Sequence, residues 1–232
     1  MKRIVTTLAL LAICASTSFA ANALRISQAY GGGGGATGAY TRDYVELFNS
    51  SSADIDISNY TIQYGSAAGN WGSSTGNIFT FPAGTKVKAC GYLLIECGAA
   101  GTAGTALPVT ADFSTITTGF SMSGSSGKVA LFTAVNSNLA CGSEIAGTLV
   151  DKLAYGAANC AEGSAMAAGI TTLTTIVRGN GGLTDTDNNS ADFSAIATSS
   201  QAPRNSASAI NPACTVVPTR KSNWGAVKAI YR

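Results

Sequence analysis

Short hydrophobic stretches separated by glycine- and serine-rich segments run through most of the chain. Within several stretches hydrophobic and polar residues alternate, which is typical of a strand with one buried face. In the first of them, positions 24, 26 and 28 fall on one side of an extended chain and positions 25, 27 and 29 on the other. The predicted strands are 24–30, 43–49, 55–57, 60–64, 77–81, 91–96, 128–133, 149–155 and 174–178.

No window between residues 24 and 210 repeats hydrophobic residues at helical spacing between helix caps. The expected fold class is therefore all-β. Eight or nine short strands without helices predict a β-sandwich of two sheets. A chain of 232 residues is long enough for one such domain, and no internal repeat of fixed period is present.

Residues 1–23 differ from the rest and have the three parts of a secretory signal peptide. Lys2 and Arg3 form a basic start, residues 4–13 are mainly hydrophobic, and small residues follow. Ser18-Phe19-Ala20 and Ala21-Asn22-Ala23 are two candidate cleavage sequences. The hydrophobic run is shorter than the roughly 18 residues of a membrane-spanning helix. We therefore expect an exported protein, secreted or periplasmic with an extracellular location favoured, and not an integral membrane protein.

Composition narrows the function further. Hydrophobic residues make up 46% and charged residues 11% of the chain, and histidine is absent. These values exclude a basic nucleic-acid-binding protein, a charged disordered chain and a coiled coil, and no nucleic-acid partner is predicted. The missing imidazole excludes a Ser-His-Asp triad, a Cys-His pair and a histidine metal site. Beyond the signal peptide, residues 24–192 carry a net charge of −5 and residues 193–232 a net charge of +5.

Five cysteines remain after the signal peptide: Cys90, Cys97, Cys141, Cys160 and Cys214. In an exported protein they should form at most two disulfides and leave one thiol over. Cys141 and Cys160 flank a predicted strand, so a disulfide between them would join the loops at its two ends. Cys90 and Cys97 bracket another, whose ends would lie roughly 20 Å apart if straight. A Cys90–Cys97 link would need a bend, and either cysteine could pair with Cys214 instead.

The best metal candidate is an acidic stretch near residue 190, which contains Asp185, Asp187, Asn189 and Asp192. Calcium prefers oxygen ligands, and an Asp-x-Asp start is common in calcium loops. The glycine and glutamate of a helix-loop-helix calcium site are missing, because Ser190 and Ile196 occupy those positions. The alternative is a tight turn held by Asp and Asn side chains, and no other cofactor is predicted.

Three further patterns resemble catalytic or binding motifs and favour structural interpretations. Asp43 and Glu46 should point to opposite faces of a strand, and Glu46 should be partly buried and bonded to backbone or to a tyrosine hydroxyl. The five glycines 31–35 lack the Gly-Lys-Ser/Thr ending and the helix of a phosphate loop. Ser125 and Lys128 have Ser-x-x-Lys spacing, but the residues that follow read as a strand.

Residues 211–232 are predicted to be a linker followed by a short, basic, amphipathic tail. Trp224, Val227, Lys228 and Tyr231 have helical spacing, and Arg232 adds a charge at the end. Trp224, Lys228, Tyr231 and Arg232 are candidate partner-binding residues. Three alternatives are open for the tail: docking on the sandwich, binding a membrane surface or an envelope partner, or disorder.

The order of several segments resembles the lamin tail domain family in its bacterial secreted form. The resemblance rests on Arg25-Ile26-Ser27-Gln28, the glycine loop, residues 43–49 and residues 54–62. It continues through 127–131, 150–156, 185–193 and 203–206, and so spans about 24–208. This resemblance implies an immunoglobulin-like β-sandwich over residues 24–210 without catalytic residues of its own.

These observations lead to one functional expectation and two alternatives. The chain is expected to be an exported, non-catalytic binding or structural module that acts at the cell envelope or outside the cell on an unknown protein or envelope component. The first alternative is an accessory that delivers or positions a separate secreted nuclease or phosphoesterase, or that has weak hydrolysis of its own at the Asp185–Asp192 stretch. The second is an adhesin-like or matrix component, which would self-associate.

Overall fold

A computed structural model describes residues 23–115 and 120–214. Within them the chain forms twelve strands, a single-turn α-helix α1 (Asn189–Asp192) and several 3-10 turns. The strands are β1 (Leu24–Tyr30), β2 (Asp43–Asn49), β3 (Ile55–Asp56), β4 (Thr61–Ser66), β5 (Ile78–Thr80), β6 (Lys86–Val87), β7 (Tyr92–Cys97), β8 (Phe113–Ser114), β9 (Gly127–Phe132), β10 (Leu149–Tyr155), β11 (Thr174–Arg178) and β12 (Phe193–Ala197).

Two main sheets pack face to face, which confirms the predicted β-sandwich. The larger sheet has the order β12-β11-β1-β2-β7-β8 and the smaller one the order β10-β9-β4-β5, while β3 and β6 form a separate ribbon. Within these sheets the pairs are antiparallel except for β7 with β8. All nine predicted strands are present. The predicted number of strands was too low, because the sequence pattern did not indicate β6, β8 and β12. The prediction of a domain without helices was also wrong at one place, because α1 forms one helical turn.

The core lies between the sheets and follows the alternation of the strands. Val45 and Leu47 of β2 face Val129 and Leu131 of β9 across it, and all four side chains are buried. Burial of these aliphatic side chains is the main favourable contribution to folding, at about 25 cal/mol per Å² of apolar surface.

One predicted alternation is wrong, because β1 contains a bulge. The pairing of β1 with β2 shifts register between Ile26 and Gln28. An extra residue in a strand reverses the faces beyond it. Ala29 therefore points into the core and Gln28 to the outer face, where Gln28 contacts the side chain of Glu46.

The outer face of the larger sheet is covered as well. We name residues 198–214 the C-terminal strap, which crosses this face after β12. Every residue of β2 is buried, including those on the outer face. The strap ends in the 3-10 turn Pro212–Cys214, where Asn211 and Cys214 of the predicted linker are buried against the domain.

Four of the described cysteines lie in two pairs. Cys90 lies opposite Cys214 and Cys141 opposite Cys160, with Cα–Cα distances of 5.5 and 6.1 Å. Both distances suit a disulfide. Among residues 23–115 and 120–214, the free cysteine is Cys97 on β7, which is buried. Of the pairings left open by the sequence, the structure therefore has Cys90 with Cys214.

No helix within residues 23–115 and 120–214 is both long enough and apolar enough to cross a membrane. The predicted tail residues Trp224, Lys228, Tyr231 and Arg232 lie outside the described residues, as do residues 1–22 of the predicted signal peptide.

Candidate functional site

Glu46 is the centre of a buried polar network on the outer face of the larger sheet. Its carboxylate accepts hydrogen bonds from the hydroxyl of Ser27 at 2.6 Å and from the backbone N–H of Arg204 at 2.6 Å. The Arg204 guanidinium adds donors at 2.7 and 3.2 Å. Burial raises the pKa of Glu46, and the charge of Arg204 opposes that rise. The predicted hydrogen bond between Glu46 and backbone is present. The charged partner is the Arg204 side chain and not a tyrosine hydroxyl, and Glu46 is fully buried rather than partly buried.

Arg204 joins this network to the surface. Its guanidinium lies 3.7 Å from the centre of the Tyr92 ring, and Nη1 donates to the Tyr92 hydroxyl at 2.6 Å. About a fifth of the Arg204 side chain, 22%, is exposed. Arginine stacked on an aromatic ring and paired with a carboxylate is held rigidly. Residue 204 of the strap is thereby fixed over β2 and β7.

An open cleft of about 450 Å³ lies beside Arg204. We name it the strap cleft, because the strap forms one wall through Ile210 and Pro212. Tyr92 and Asn180 also line it. Ile210 is 47% exposed and adds an apolar contact surface to the cleft.

A second polar network surrounds Arg178, the last residue of β11. We name Arg25, Asp151, Arg178, Asp185 and Asp192 the Arg178 cluster. The Arg178 side chain is fully buried and binds both carboxylate oxygens of Asp151 at 2.8 and 2.9 Å. It reaches Asp185 at 3.2 Å and Asp192 at 3.5 Å. Arg25 pairs with Asp185 at 2.9 Å, so the cluster joins β1, β10, β11 and the acidic stretch.

The Arg178 cluster bears on the calcium prediction. Of the four predicted ligands, Asp185 and Asp192 point to Arg178, and Asn189 accepts from the N–H groups of Ala154 and Glu162. Asp187 is exposed. Among the described residues, no group of three or more Cys, Asp or Glu side chains is placed to hold a metal ion. Calcium binding stays a prediction to which this geometry adds no support.

The alternative interpretation of the acidic stretch fits the contacts. The Asn188 side chain accepts from the N–H of Ser190 at 3.2 Å and caps α1. Asp192 accepts from the N–H and the hydroxyl of Thr186 at 3.0 and 2.7 Å. Asn and Asp side chains thus hold the turn by bonding nearby backbone.

Lys128 has a structural role, as expected for the Ser-x-x-Lys pattern. It does more than occupy a position in β9, because its side chain binds other segments of the chain. Its ammonium donates to the carbonyl oxygens of Ser66 at 3.0 Å and Gly69 at 2.6 Å and to the side chain of Asn159 at 2.7 Å. With the carbonyl oxygen of Ala67 at 3.3 Å, four oxygen acceptors surround the ammonium and favour its protonated form, although burial lowers the pKa of Lys128. No contact between Lys128 and Ser125 is among its described hydrogen bonds.

Two carboxyl groups outside these pairs have raised pKa values. Burial, and next the charge of Asp151, raise the pKa of Glu162 to about 8. Burial raises the pKa of Asp43 to about 6, although Asp43 accepts from the backbone N–H groups of Gly33 and Met122 at 2.8 Å each. Asp43 and Glu46 lie on opposite faces of β2, as predicted, so they cannot act as an acid and base pair.

These two groups predict how stability depends on pH. A carboxyl group with a raised pKa in the folded protein stabilises it fully below its unfolded pKa and loses that contribution as pH rises through the folded value. We expect the free energy of unfolding to fall between about pH 4, near the unfolded pKa of both groups, and about pH 8. The contribution of Asp43 is lost by about pH 6 and that of Glu162 by about pH 8. Urea unfolding across this range measures it.

Glu162→Gln is the matched variant for the pH series. It should remove the decrease above pH 7 and leave the decrease near pH 6. A stability that rises between pH 7 and pH 9 in the unchanged protein would contradict this account.

Sheet order, buried charge pairs and the strap define a β-sandwich module in which Glu46 and Arg178 are paired within the fold. Comparison with protein families identifies it: the lamin tail domain model matches residues 17–157, and the chain belongs to the lamin tail domain family. The match ends before 185–193 and 203–206, which the sequence resemblance had included.

Among solved structures, a DUF4876 family protein from Bacteroides thetaiotaomicron is similar, with a TM-score of 0.49 and 12% sequence identity. The similarity covers 75% of this chain and 70% of that one. No curated protein matches the chain significantly.

Proposed function

We propose that the protein is an exported, non-catalytic binding or structural module that acts at the cell envelope or outside the cell. The observation that carries this proposal is the pairing of its buried charges. Glu46 is paired with Arg204, and Asp151, Asp185 and Asp192 surround Arg178, with Arg25 as a second partner of Asp185. A general acid or base needs a free proton-transfer position facing a substrate, and these groups use theirs within the fold.

The cysteine pairs support export. Disulfides persist in oxidising compartments and are rare in the reducing cytosol. Cys90–Cys214 and Cys141–Cys160 both lie at disulfide distance, and the N-terminal segment has the pattern of a secretory signal.

The strap cleft is the proposed binding surface, with a protein or envelope component as the partner. It combines a partly exposed guanidinium, an amide side chain and an exposed aliphatic side chain in one concave surface. A few polar groups in a mainly apolar concave site are the usual composition of a binding pocket.

A substitution at Ile210 tests the cleft. Ile210→Asp should reduce retention of the purified protein on the envelope fraction of its own cells at least about five-fold, because it places a desolvated charge in the contact. Unfolding should change by no more than about 0.5 kcal/mol, since Ile210 is 47% exposed. Co-sedimentation with the envelope fraction measures retention.

Leu173→Asp is the matched control. Leu173 is 60% exposed and does not line the cleft. Equal losses for the two variants would indicate general surface hydrophobicity, and retention by Ile210→Asp would exclude the cleft as the binding surface.

An enzymatic role is tested directly. The purified protein is incubated with double-stranded DNA and with a phosphomonoester, with and without calcium. We expect no turnover in proportion to protein concentration. Turnover that grows with concentration and needs calcium would favour metal-dependent hydrolysis at the Asp185–Asp192 stretch and contradict the non-catalytic proposal.

A further inference from the structure

Within the described residues the two main sheets end in four edge strands, and three of these are protected from further pairing. β8 has two residues and β5 has three, with Pro82 close behind β5. Asn189 occupies the edge of β10, where it accepts from the N–H of Ala154 and donates to the carbonyl oxygen of Lys152, both at 2.8 Å. Short strands, proline and covering groups are common ways in which proteins prevent association through sheet edges.

The fourth edge strand, β12, has none of these protections in the part of the chain that the structure describes. All five of its residues pair with β11 without a register shift. Ser194 and Ala195 point to opposite faces of the sheet, and both are exposed. Residues 193–203 contain no charged residue, and their first proline is Pro203. β12 is therefore a regular, uncharged strand at an open edge.

The hydrogen-bond pattern shows which main-chain groups of β12 face this open edge. The N–H of Thr198 donates to the carbonyl oxygen of Leu173 at 3.0 Å, directly after the last pair of β11 and β12. Every second residue of an antiparallel strand bonds to the same neighbour, so Ala195 and Ala197 direct their N–H and C=O groups away from β11. Among the hydrogen bonds of residues 23–115 and 120–214, none involves these outward groups.

We propose that β12 is the interface of a homodimer, in which two copies of this chain pair antiparallel about a two-fold axis. With Ile196 on the axis, Ala195 of each copy lies opposite Ala197 of the other. Each of these pairs exchanges two main-chain hydrogen bonds through the outward groups, and the symmetry repeats the pair. The two six-stranded sheets then form one continuous sheet.

The residues of this edge favour a second copy over a different protein. In the proposed register Ile196, which is half-buried in the single chain, meets its own copy, and only alanines meet on the other face. No like charges oppose each other, whereas a strand of another protein would need charges or pockets for its selection, and residues 193–203 carry no charge. Three strands separate β12 from Tyr92 of the strap cleft, so this inference does not rest on the proposed binding role.

The oligomeric state in solution is the test. An interface built on one five-residue strand is small for a stable complex, so we expect a dissociation constant of about 100 µM. Sedimentation velocity of the oxidised chain should show a monomer at about 10 µM and mainly a dimer at about 1 mM. A chain that stays monomeric over this range, or that forms species larger than a dimer, would overturn the proposal.

Ala195→Lys tests whether β12 is the surface that pairs. A lysine at this edge position would bring a charge into the contact, and the dissociation constant should rise at least about ten-fold. Ala195 is exposed in the single chain, so the melting temperature should stay within about 2 °C. Ala100→Lys, the same change at an exposed position after β7, is the matched control and should dimerise normally. Normal dimerisation of Ala195→Lys would exclude β12 as the interface.

A charge pair tests the register. Ala197→Glu should also weaken the dimer when it is alone. In an equal mixture with Ala195→Lys it should form a heterodimer, because the introduced carboxylate and ammonium lie opposite each other only in the proposed pairing. A mixture that stays as monomeric as each variant alone would contradict that pairing.

Discussion

Arg178→Met should lower the free energy of unfolding by about 3–5 kcal/mol, measured by urea denaturation at neutral pH. The substitution keeps much of the side-chain volume but removes the charge that lies between Asp151, Asp185 and Asp192. Three carboxylates would stay in the interior with only Arg25 as a cationic partner in the cluster, at Asp185. A buried charge that loses its partner is costly because neither water nor protein solvates it.

Arg42→Met is the control for that result. Arg42 lies 3.8 Å from Glu96, and its side chain is 23% exposed. An ion pair in contact with solvent contributes little, so we expect a loss of about 1 kcal/mol or less. Equal effects of the two substitutions would show that burial of the Arg178 cluster does not decide its contribution.

Removing the Cys90–Cys214 disulfide should have the second large effect. The double variant Cys90→Ser and Cys214→Ser releases a loop closed over a sequence separation of 124 residues. Loop-closure entropy gives about 5 kcal/mol for a loop of this length, and the strap would lose its covalent link to the segment before β7. Thermal and urea unfolding of the two proteins at the same pH measure the difference.

The Cys141–Cys160 disulfide supplies the comparison. It closes a separation of only 19 residues, so its double serine variant should lose about 3 kcal/mol. A larger loss for the short loop than for the long one would contradict the entropic explanation. Cys97→Ala should leave both disulfides intact, because Cys97 is outside both pairs.

The sandwich could be predicted because hydrophobic and polar residues alternate in a half-buried strand. This alternation gives no signal where an element is too short or too irregular for a repeat. β6 and β8 have two residues each, and β12 follows directly on α1. The bulge in β1 changes no residue type, so the reversed direction of Ala29 could not be derived from the pattern.

The candidate site was less predictable because its partners are distant in sequence. Glu46 and Arg204 are 158 positions apart, and no local spacing links them. A signal was present in β2, where hydrophobic residues occupy both faces and a single glutamate stands among them. In a chain with 11% charged residues, a charge inside such a strand indicates a buried partner of opposite sign.

The contacts of the acidic stretch could not be derived from its composition. Asp185 and Asp192 have carboxylate oxygens, and in the fold these pair with Arg25 and Arg178, which two strands supply. Arg178 ends a predicted strand, and Arg25 lies within another. Their convergence depends on the order of the strands in the sheet, which the sequence pattern does not specify.

The position of Cys97 affects how the correct disulfides are reached. Thiol–disulfide exchange requires an accessible thiolate, and burial raises the pKa of Cys97 well above its usual value. Once β7 is paired on both sides, this sulfur is closed to oxidants and to the other four cysteines. Scrambling is therefore confined to chains whose larger sheet has not yet assembled, and the finished sheet protects the oxidised protein from rearrangement.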